Sequence, residues 1–245
     1  MNKTKEYRFT IIVPVFNEED NIYTLEKRLA AFLPECREKA CVLFVDDGST
    51  DSSAERIREI CSRNADFYHI SFAKNAGLSA AIKAGIDFAE SDYIGYIDAD
   101  LQTAPEDFNL LLEHIGDYTM VTGVRAERKD SVFKLVQSRI ANGFRRMMTP
   151  DGALDTGCPL KVLHTDVAKR IPMFKGMHRF FPALVLLQDG GSYKQVSVRH
   201  FPRIAGKSKY HLWNRLWGPF VDCFAYRWMK PRYCNFKVTE NNLEN

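Results

Sequence analysis

The first 125 residues of the chain alternate between two patterns. Short apolar runs at Phe9–Val15, Cys41–Val45, Phe67–Phe72, Tyr93–Ile97 and Tyr118–Thr122 are rich in β-branched and aromatic residues and read as strands. Segments of helical period lie between them. Glu18–Leu33 puts Ile22, Leu25, Leu29 and Phe32 on one stripe. A second helix opens at Ser52, with Glu55 completing a capping box, and carries Ile57 and Ile60. A third runs from about Gly77 to Glu90, and Pro105 suits the first position of the next.

This alternation predicts an α/β fold of three layers, a mostly parallel sheet with helices on both faces and right-handed crossovers. Such sheets bind ligands at the carboxyl ends of their strands. The pattern then changes. Residues 131–148 read as a basic amphipathic helix (Val132, Leu135, Val136, Ile140, Phe144), 151–160 as turns, Met177–Leu187 as a helix and Lys194–Phe201 as a strand. The tail is aromatic. Trp213, Trp217, Phe220, Phe224 and Trp228 share one helical stripe, interrupted by Pro219, which predicts a kink or two short helices.

Composition narrows the class. Of 245 residues 45% are hydrophobic and 27% charged, as in globular proteins. The longest uncharged stretches run about nine residues, at Phe9–Asn17 and Phe180–Gln188, against the roughly 20 that a spanning helix needs. The opening MNKTKEYRFT has no signal-peptide core. A net charge of +3 argues against a general nucleic-acid binder. The six cysteines form no C-x-x-C pair and read as reduced thiols of a cytoplasmic protein. Charge is uneven, however: Arg199 to Arg232 holds eight Lys/Arg and one acid, Asp222.

Asp46, Asp47, Asp98 and Asp100 fall just after strands and so on one sheet edge. Carboxylates gathered there repel unless a proton or cation intervenes, and oxygen donors suit Mg²⁺ or Mn²⁺. A lone D-x-D describes a solvated acidic turn or a helix cap equally well.

Context decides between these. VPVFNEED, VDDGSTD, KNAGLSAAIKAG, YIDADLQTAPED and GVR follow in order. Together they resemble the family-2 glycosyltransferases, over roughly residues 8–210. D-A-D-L-Q with P-E following, and a later R-x-x-G-x-S-K-Y, resemble the polyprenyl-phosphate branch. That branch includes dolichol-phosphate mannose synthase and undecaprenyl-phosphate sugar transferases. The resemblance implies a GT-A-type, Rossmann-like nucleotide-sugar-binding domain at 1–210 and an amphipathic helical tail at 211–245. It also implies inverting, metal-dependent transfer of a sugar from UDP or GDP to a polyprenyl phosphate, for cell-envelope glycan or glycolipid synthesis.

The resemblance implies roles for single residues as well. Pro14, Phe16 and Glu18 match the nucleotide-contacting segment, with Phe16 replacing the usual Tyr and its hydroxyl. Asp46 matches the acid that reads the base. Asp98, Ala99, Asp100 and Gln102 match the diphosphate site, with Asp100 and Gln102 on Mg²⁺ or Mn²⁺. Arg203 and Lys209, with Lys207 between, match a loop that closes over the diphosphate; read without the family they describe a solvated loop. Asp98, Asp100, Arg125, Arg203 and Lys209 form the implied catalytic set. Arg125, Arg139 and Ser138 are implied to grip the acceptor phosphate, and Arg128 reads as an ordinary basic helix face. Asp155–Lys161 resembles a D-x-G-C-x-L-R segment of bacterial members, which makes Cys158 a packing residue. His178 either bonds backbone at a helix start or opens the acceptor side.

The segment GMHRFFPALVLLQDGG lacks the E-D pair that serves as base in relatives that glycosylate hydroxyls. A phosphate monoester, with its second pKa at about 6, needs no such base. Two alternatives stand beside this reading. One is a family-2 transferase acting on a saccharide or other lipid hydroxyl; the other is a catalytically silent nucleotide-sugar-binding partner of a membrane complex. The tail suits either an anionic membrane surface, making the protein peripheral on the cytoplasmic face, or packing back on the domain.

Overall fold

The computed structural model describes residues 2–125, 143–202, 212–236 and 239–240, with backbone alone for 212–217 and 219. The expectations placed on Arg128, Ser138, Arg139, Arg203, Lys207, Lys209 and residues 131–142 lie outside the described residues, as do the side chains of Trp213 and Trp217.

Seven strands form one sheet: β1 (Phe9–Val15), β2 (Ala40–Asp46), β3 (Phe67–Ser71), β4 (Tyr93–Tyr96), β5 (Met120–Arg125), β6 (Lys161–His164) and β7 (Tyr193–Val198). Their order is β3-β2-β1-β4-β6-β5-β7. Every pair is parallel except those of β6, which runs antiparallel to β4 and β5. The helices include α1 (Ile22–Phe32), α2 (Ser53–Arg63), α3 (Leu78–Phe88), α4 (Phe108–Leu112), α5 (Thr165–Lys169), α6 (Phe181–Val185) and α7 (Leu212–Met229), and residues 143–148 are helical as well. All seven residues of β1 are buried, because both faces of the sheet are covered. Ile11, Val13 and Val15 join Leu25, Ile57 and Phe108 in one core. Ile12 points the other way, into a core with Ile82, Leu184 and Tyr226. The three layers expected from the strand–helix alternation follow from this period of two.

The structure corrects several local expectations. β6 went unread, because four residues after Pro159 in a turn-rich segment carry little periodic signal. Ser52 makes no side-chain cap. Asp51 accepts from the Ser53 N–H at 2.9 Å instead, and the Ser52 N–H turns to Glu19 at 3.2 Å. Pro105 opens a 3₁₀ turn, Pro105–Asp107, ahead of α4. Met177–Leu187 splits into a 3₁₀ turn, Met177–Phe180, and α6, where Pro182 sits in the first turn. Pro219 does not interrupt α7. The helix buries Cys223, Tyr226 and Met229 against the domain, and this packing outweighs one lost hydrogen bond. Tyr226 stacks on Phe180 at 6.0 Å. Of the stripe's described side chains, Phe224 is 51% and Trp228 65% exposed, while Phe220 stacks on Phe144 at 4.8 Å. All six cysteines are free.

Candidate active site

The loops after β1 and β2 are laced together. Asn17 sits at φ 51°, a conformation that Asn tolerates better than most side chains. Its N–H donates to the Ser49 hydroxyl at 3.0 Å, and its side-chain carbonyl accepts from the Thr50 N–H at 2.7 Å. The Glu18 N–H donates to Ser53 Oγ at 2.8 Å, while the Glu18 carboxylate receives Asn21 Nδ2 at 2.7 Å. Phe16 follows the fully buried β1 and is itself half-buried. The segment from Pro14 to Glu18 is thus fixed by its neighbours.

Asp46 ends β2, buried, and accepts from the Ser49 N–H at 3.1 Å. Asp47 does different work. Its carboxylate accepts from the N–H groups of Ala76 (2.7 Å) and Gly77 (2.9 Å) and from Asn75 Nδ2 (2.8 Å). It is a brace for the KNAG loop and the start of α3. Gly48, at φ 67°, lets the chain pass that loop; a Cβ there would strike the backbone of Lys74.

The D-A-D-L-Q segment leaves β4 at the same edge. Leu101 is held at φ 59°, buried, a strained conformation for leucine. The turn is tied by the Gln102 N–H to Asp100 Oδ1 at 3.1 Å. The Gln102 carbonyl accepts from the Phe201 N–H at 2.9 Å and faces His200 Nδ1 at 3.1 Å. Arg199 is locked just before this point by Asp107, through its N–H at 2.7 Å and Nε at 2.8 Å. Asp98 receives the Tyr96 hydroxyl at 2.5 Å. Burial, then the charge of Asp100, push the Asp98 carboxyl up to about 6, against the pull of Tyr96, Lys161 and Arg125. Burial and the neighbouring Asp100 charge thus disfavour the ionised form of Asp98. The donor set, carboxylates with the Gln102 amide oxygen, fits Mg²⁺ or Mn²⁺ completed by substrate phosphates. Among the described residues no group of three or more His, Cys, Asp or Glu could hold a metal by itself.

Two site residues escaped the sequence reading. Lys161 lies opposite Tyr96 in the β4–β6 ladder, so the antiparallel strand delivers it to the carboxyl edge. It is fully buried, bonds the Cys158 carbonyl and lies 5.9 Å from the centre of the Tyr96 ring. Burial holds its ammonium below the usual lysine range. Asp155 is the other. It clamps Arg125 through Nε (2.7 Å) and Nη2 (2.8 Å), in a pair with side chains only 13% and 10% exposed. Both belong to the Asp155–Lys161 segment, whose pattern was visible but whose partners were not. Arg125, expected just past its strand, is the last residue of β5. The Cys158 thiol is buried and pushed up by that burial, which makes it a packing group. His178 bonds a side chain, Ser79 Oγ at 2.7 Å, where backbone was one expectation. Burial, then Arg179 and Lys161, lower it to about 3.

The sheet order, the strand-end loops and the acidic turn after β4 define a GT-A-type nucleotide-sugar fold. The profile of Glycosyl transferase family 2 matches residues 10–172, and the chain belongs to that family. It is 32% identical over 206 residues to dodecaprenyl-phosphate galacturonate synthase of Rhizobium johnstonii, covering 82% of this chain and 61% of that protein. It is also 32% identical over 215 residues to undecaprenyl-phosphate 4-deoxy-4-formamido-L-arabinose transferase of Edwardsiella ictaluri, covering 86% and 66%. The chain therefore spans about two thirds or less of these relatives' length. Among solved structures, glucosyl-3-phosphoglycerate synthase of Mycobacterium tuberculosis, with Mn²⁺, UDP and product, superposes with a TM-score of 0.69 at 14% identity, covering 94% of this chain and 82% of that one. A mannosyltransferase of Pyrobaculum calidifontis with GDP-mannose and Mn²⁺ gives 0.62 at 18%, covering 92% and 72%. These two share the fold.

Proposed function

We propose that this chain transfers a glycosyl group from a UDP- or GDP-sugar to a polyprenyl phosphate, with inversion. The observation that carries the acceptor class is the lack of the E-D pair in the acceptor-side segment. Its only acid is Asp189, at the far end, and its titratable ring, His178, sits at about 3, too weak to deprotonate a hydroxyl at neutral pH. A phosphate oxygen needs positioning alone. It forms a bond to the anomeric carbon as the bond from that carbon to the β-phosphate oxygen breaks, and the nucleoside diphosphate leaves with the electron pair. Asp46 reads the base, and Pro14, Phe16 and Glu18 shape the nucleotide side. Asp100 and Gln102 would hold a divalent cation, which supplies charge to the departing diphosphate. Asp98, fixed by Tyr96, orients that site. Arg203 and Lys209 close over the diphosphate from a loop whose preceding residue pair is tied to Gln102. Arg125, oriented by Asp155, faces the acceptor phosphate with Ser138 and Arg139.

The names of the undecaprenyl- and dodecaprenyl-phosphate transferases support this reading. The test is incubation with Mn²⁺ or Mg²⁺, a panel of UDP- and GDP-sugars and short-chain polyprenyl phosphate. Labelled sugar should appear in lipid, and Asp100→Ala should reduce the rate at least 100-fold, as expected for loss of charge stabilisation at a leaving group. Transfer to saccharide alone would refute the lipid acceptor.

Among the described residues no helix is long and apolar enough to cross a membrane. The exposed face of α7, with Phe224 and Trp228, supports contact with an anionic lipid surface instead. Cosedimentation with anionic vesicles should fall severalfold in Phe224→Ser/Trp228→Ser, which leaves the buried face of α7 intact. Unchanged sedimentation would contradict membrane contact by this face.

A further inference from the structure

His178 is brought to the carboxyl edge by a single hydroxyl. Ser79 stands in the first turn of α3, which begins directly after the loop leaving β3. The same helix start is braced by Asp47, the neighbour of Asp46. Ser79 Oγ accepts from the Gly176 N–H at 3.0 Å and meets His178 Nδ1 at 2.7 Å. This bond holds the ring by Nδ1 and leaves Nε2 as the nitrogen for a further partner. The residue is half-buried.

The supporting loop is rigid from behind. Gly176 adopts φ 92°, and a Cβ there would collide with the Asp222 carboxylate of α7. Asp222 also pairs with Arg179 at 3.6 Å. The groups facing the ring are therefore Ser79 from α3, Lys161 from β6 and Arg179 beside it, with Asp222 of α7 behind Arg179. Two cations and burial keep the ring neutral across the physiological range. A neutral ring offers a hydrogen-bonding nitrogen without adding charge, which suits a hydroxyl.

We propose that His178 is a donor-sugar-binding residue whose Nε2, on a ring held in place by Ser79, hydrogen-bonds a hydroxyl of the transferred sugar. This rests on the proposed use of a nucleotide sugar. It assigns the Ser79–His178 couple a part in choosing the sugar, distinct from the groups that hold nucleotide and phosphates.

The experiment is calorimetry on the full chain with Mn²⁺, comparing UDP and GDP with a panel of their sugar conjugates. His178→Phe should weaken the conjugate about tenfold, the scale of one lost hydrogen bond in a formed site, and leave the nucleoside diphosphate unchanged. His178→Asn, which keeps an N–H donor, should recover part of that loss, and Ser79→Ala should show a smaller loss in the same direction. The ratio of conjugate to nucleoside diphosphate affinity should stay flat from pH 5 to 8. An equal loss for both ligands marks a structural role and overturns the proposal. So does an unchanged ratio in His178→Phe, or a wild-type ratio that titrates near the ordinary histidine value. Normal binding of nucleoside diphosphates with no wild-type binding of any conjugate would sink the nucleotide-sugar reading itself, and this proposal with it.

Discussion

At the β1–β2 side of the sheet edge, Asn17, Glu18 and Asp47 are satisfied by N–H groups and hydroxyls of neighbouring loops. Beyond β4 three arginines are held by ion pairs: Arg125 with Asp155, Arg145 with Asp151 at 2.9 Å, and Arg179 with Asp222. The first region presents carboxylates whose loops are already fixed. The second presents arginines matched by carboxylates of the protein itself. A donor pocket of the first kind is preorganised, so little reordering accompanies binding. A phosphate entering the second region meets arginines that are oriented but already partnered, so their grip depends on exchanging or sharing those partners.

The sharpest way to break this contrast is on the ion-paired side. Asp155→Ala leaves Arg125 buried without its bidentate partner, and breaking such a pair costs about 3–5 kcal/mol. Urea unfolding should show that loss. A change within error would mean that the pair is solvated and Arg125 free to move. On the loop-laced side, Asp47→Ala should destabilise by about 2–3 kcal/mol, because the N–H groups of Ala76 and Gly77 lose their acceptor. Asp46→Ala should destabilise less, since its carboxylate accepts from the Ser49 N–H where Asp47 holds three groups, and should weaken nucleotide binding if Asp46 reads the base. Equal effects of the two substitutions on both readouts would erase the distinction between them.

The smallest effect is the pH response. His178 is lowered from 6.5 to about 3, so its contribution to stability is complete above 6.5 and declines as pH falls toward 3. Asp98, raised from 3.8 to about 6, acts oppositely: its contribution is complete below 3.8 and is lost as pH rises through about 6. The wild-type curve mixes the two. His178→Asn removes the first, so between pH 6.5 and 5 the wild type should lose more stability than the variant, by up to about 1.4 kcal/mol per pH unit. Parallel melting curves would contradict the buried neutral ring.

The same contrast explains what the sequence could reveal. Six strands, three helices and the D-A-D-L-Q turn were legible because each is written in a short, locally periodic stretch. Asp46 and Asp98 were placed at the sheet edge by their position after a strand. Asp47 was grouped with them, because a carboxylate that braces a loop and one that faces a ligand occupy the same kind of position. Lys161, Asp155 and Ser79 were not legible as site residues. The partners of Asp155 and Ser79 lie 30 and 99 positions away, and β6, which carries Lys161, is too short to announce that it runs backwards into the edge. Arg125 was found through its motif, yet the carboxylate that holds it was not. Pro219 misled for the opposite reason: a strong local signal was overridden by the packing of Cys223, Tyr226 and Met229.

The central claim is that the acceptor is a phosphate and that no side chain acts as base toward it. The most direct measurement compares a short polyprenyl phosphate with the free polyprenol of the same chain, using one nucleotide sugar and saturating Mn²⁺. Transfer to the phosphate should proceed and rise through the second phosphate ionisation at about 6 to a plateau, with no product on the alcohol. Comparable transfer to the alcohol would contradict the account.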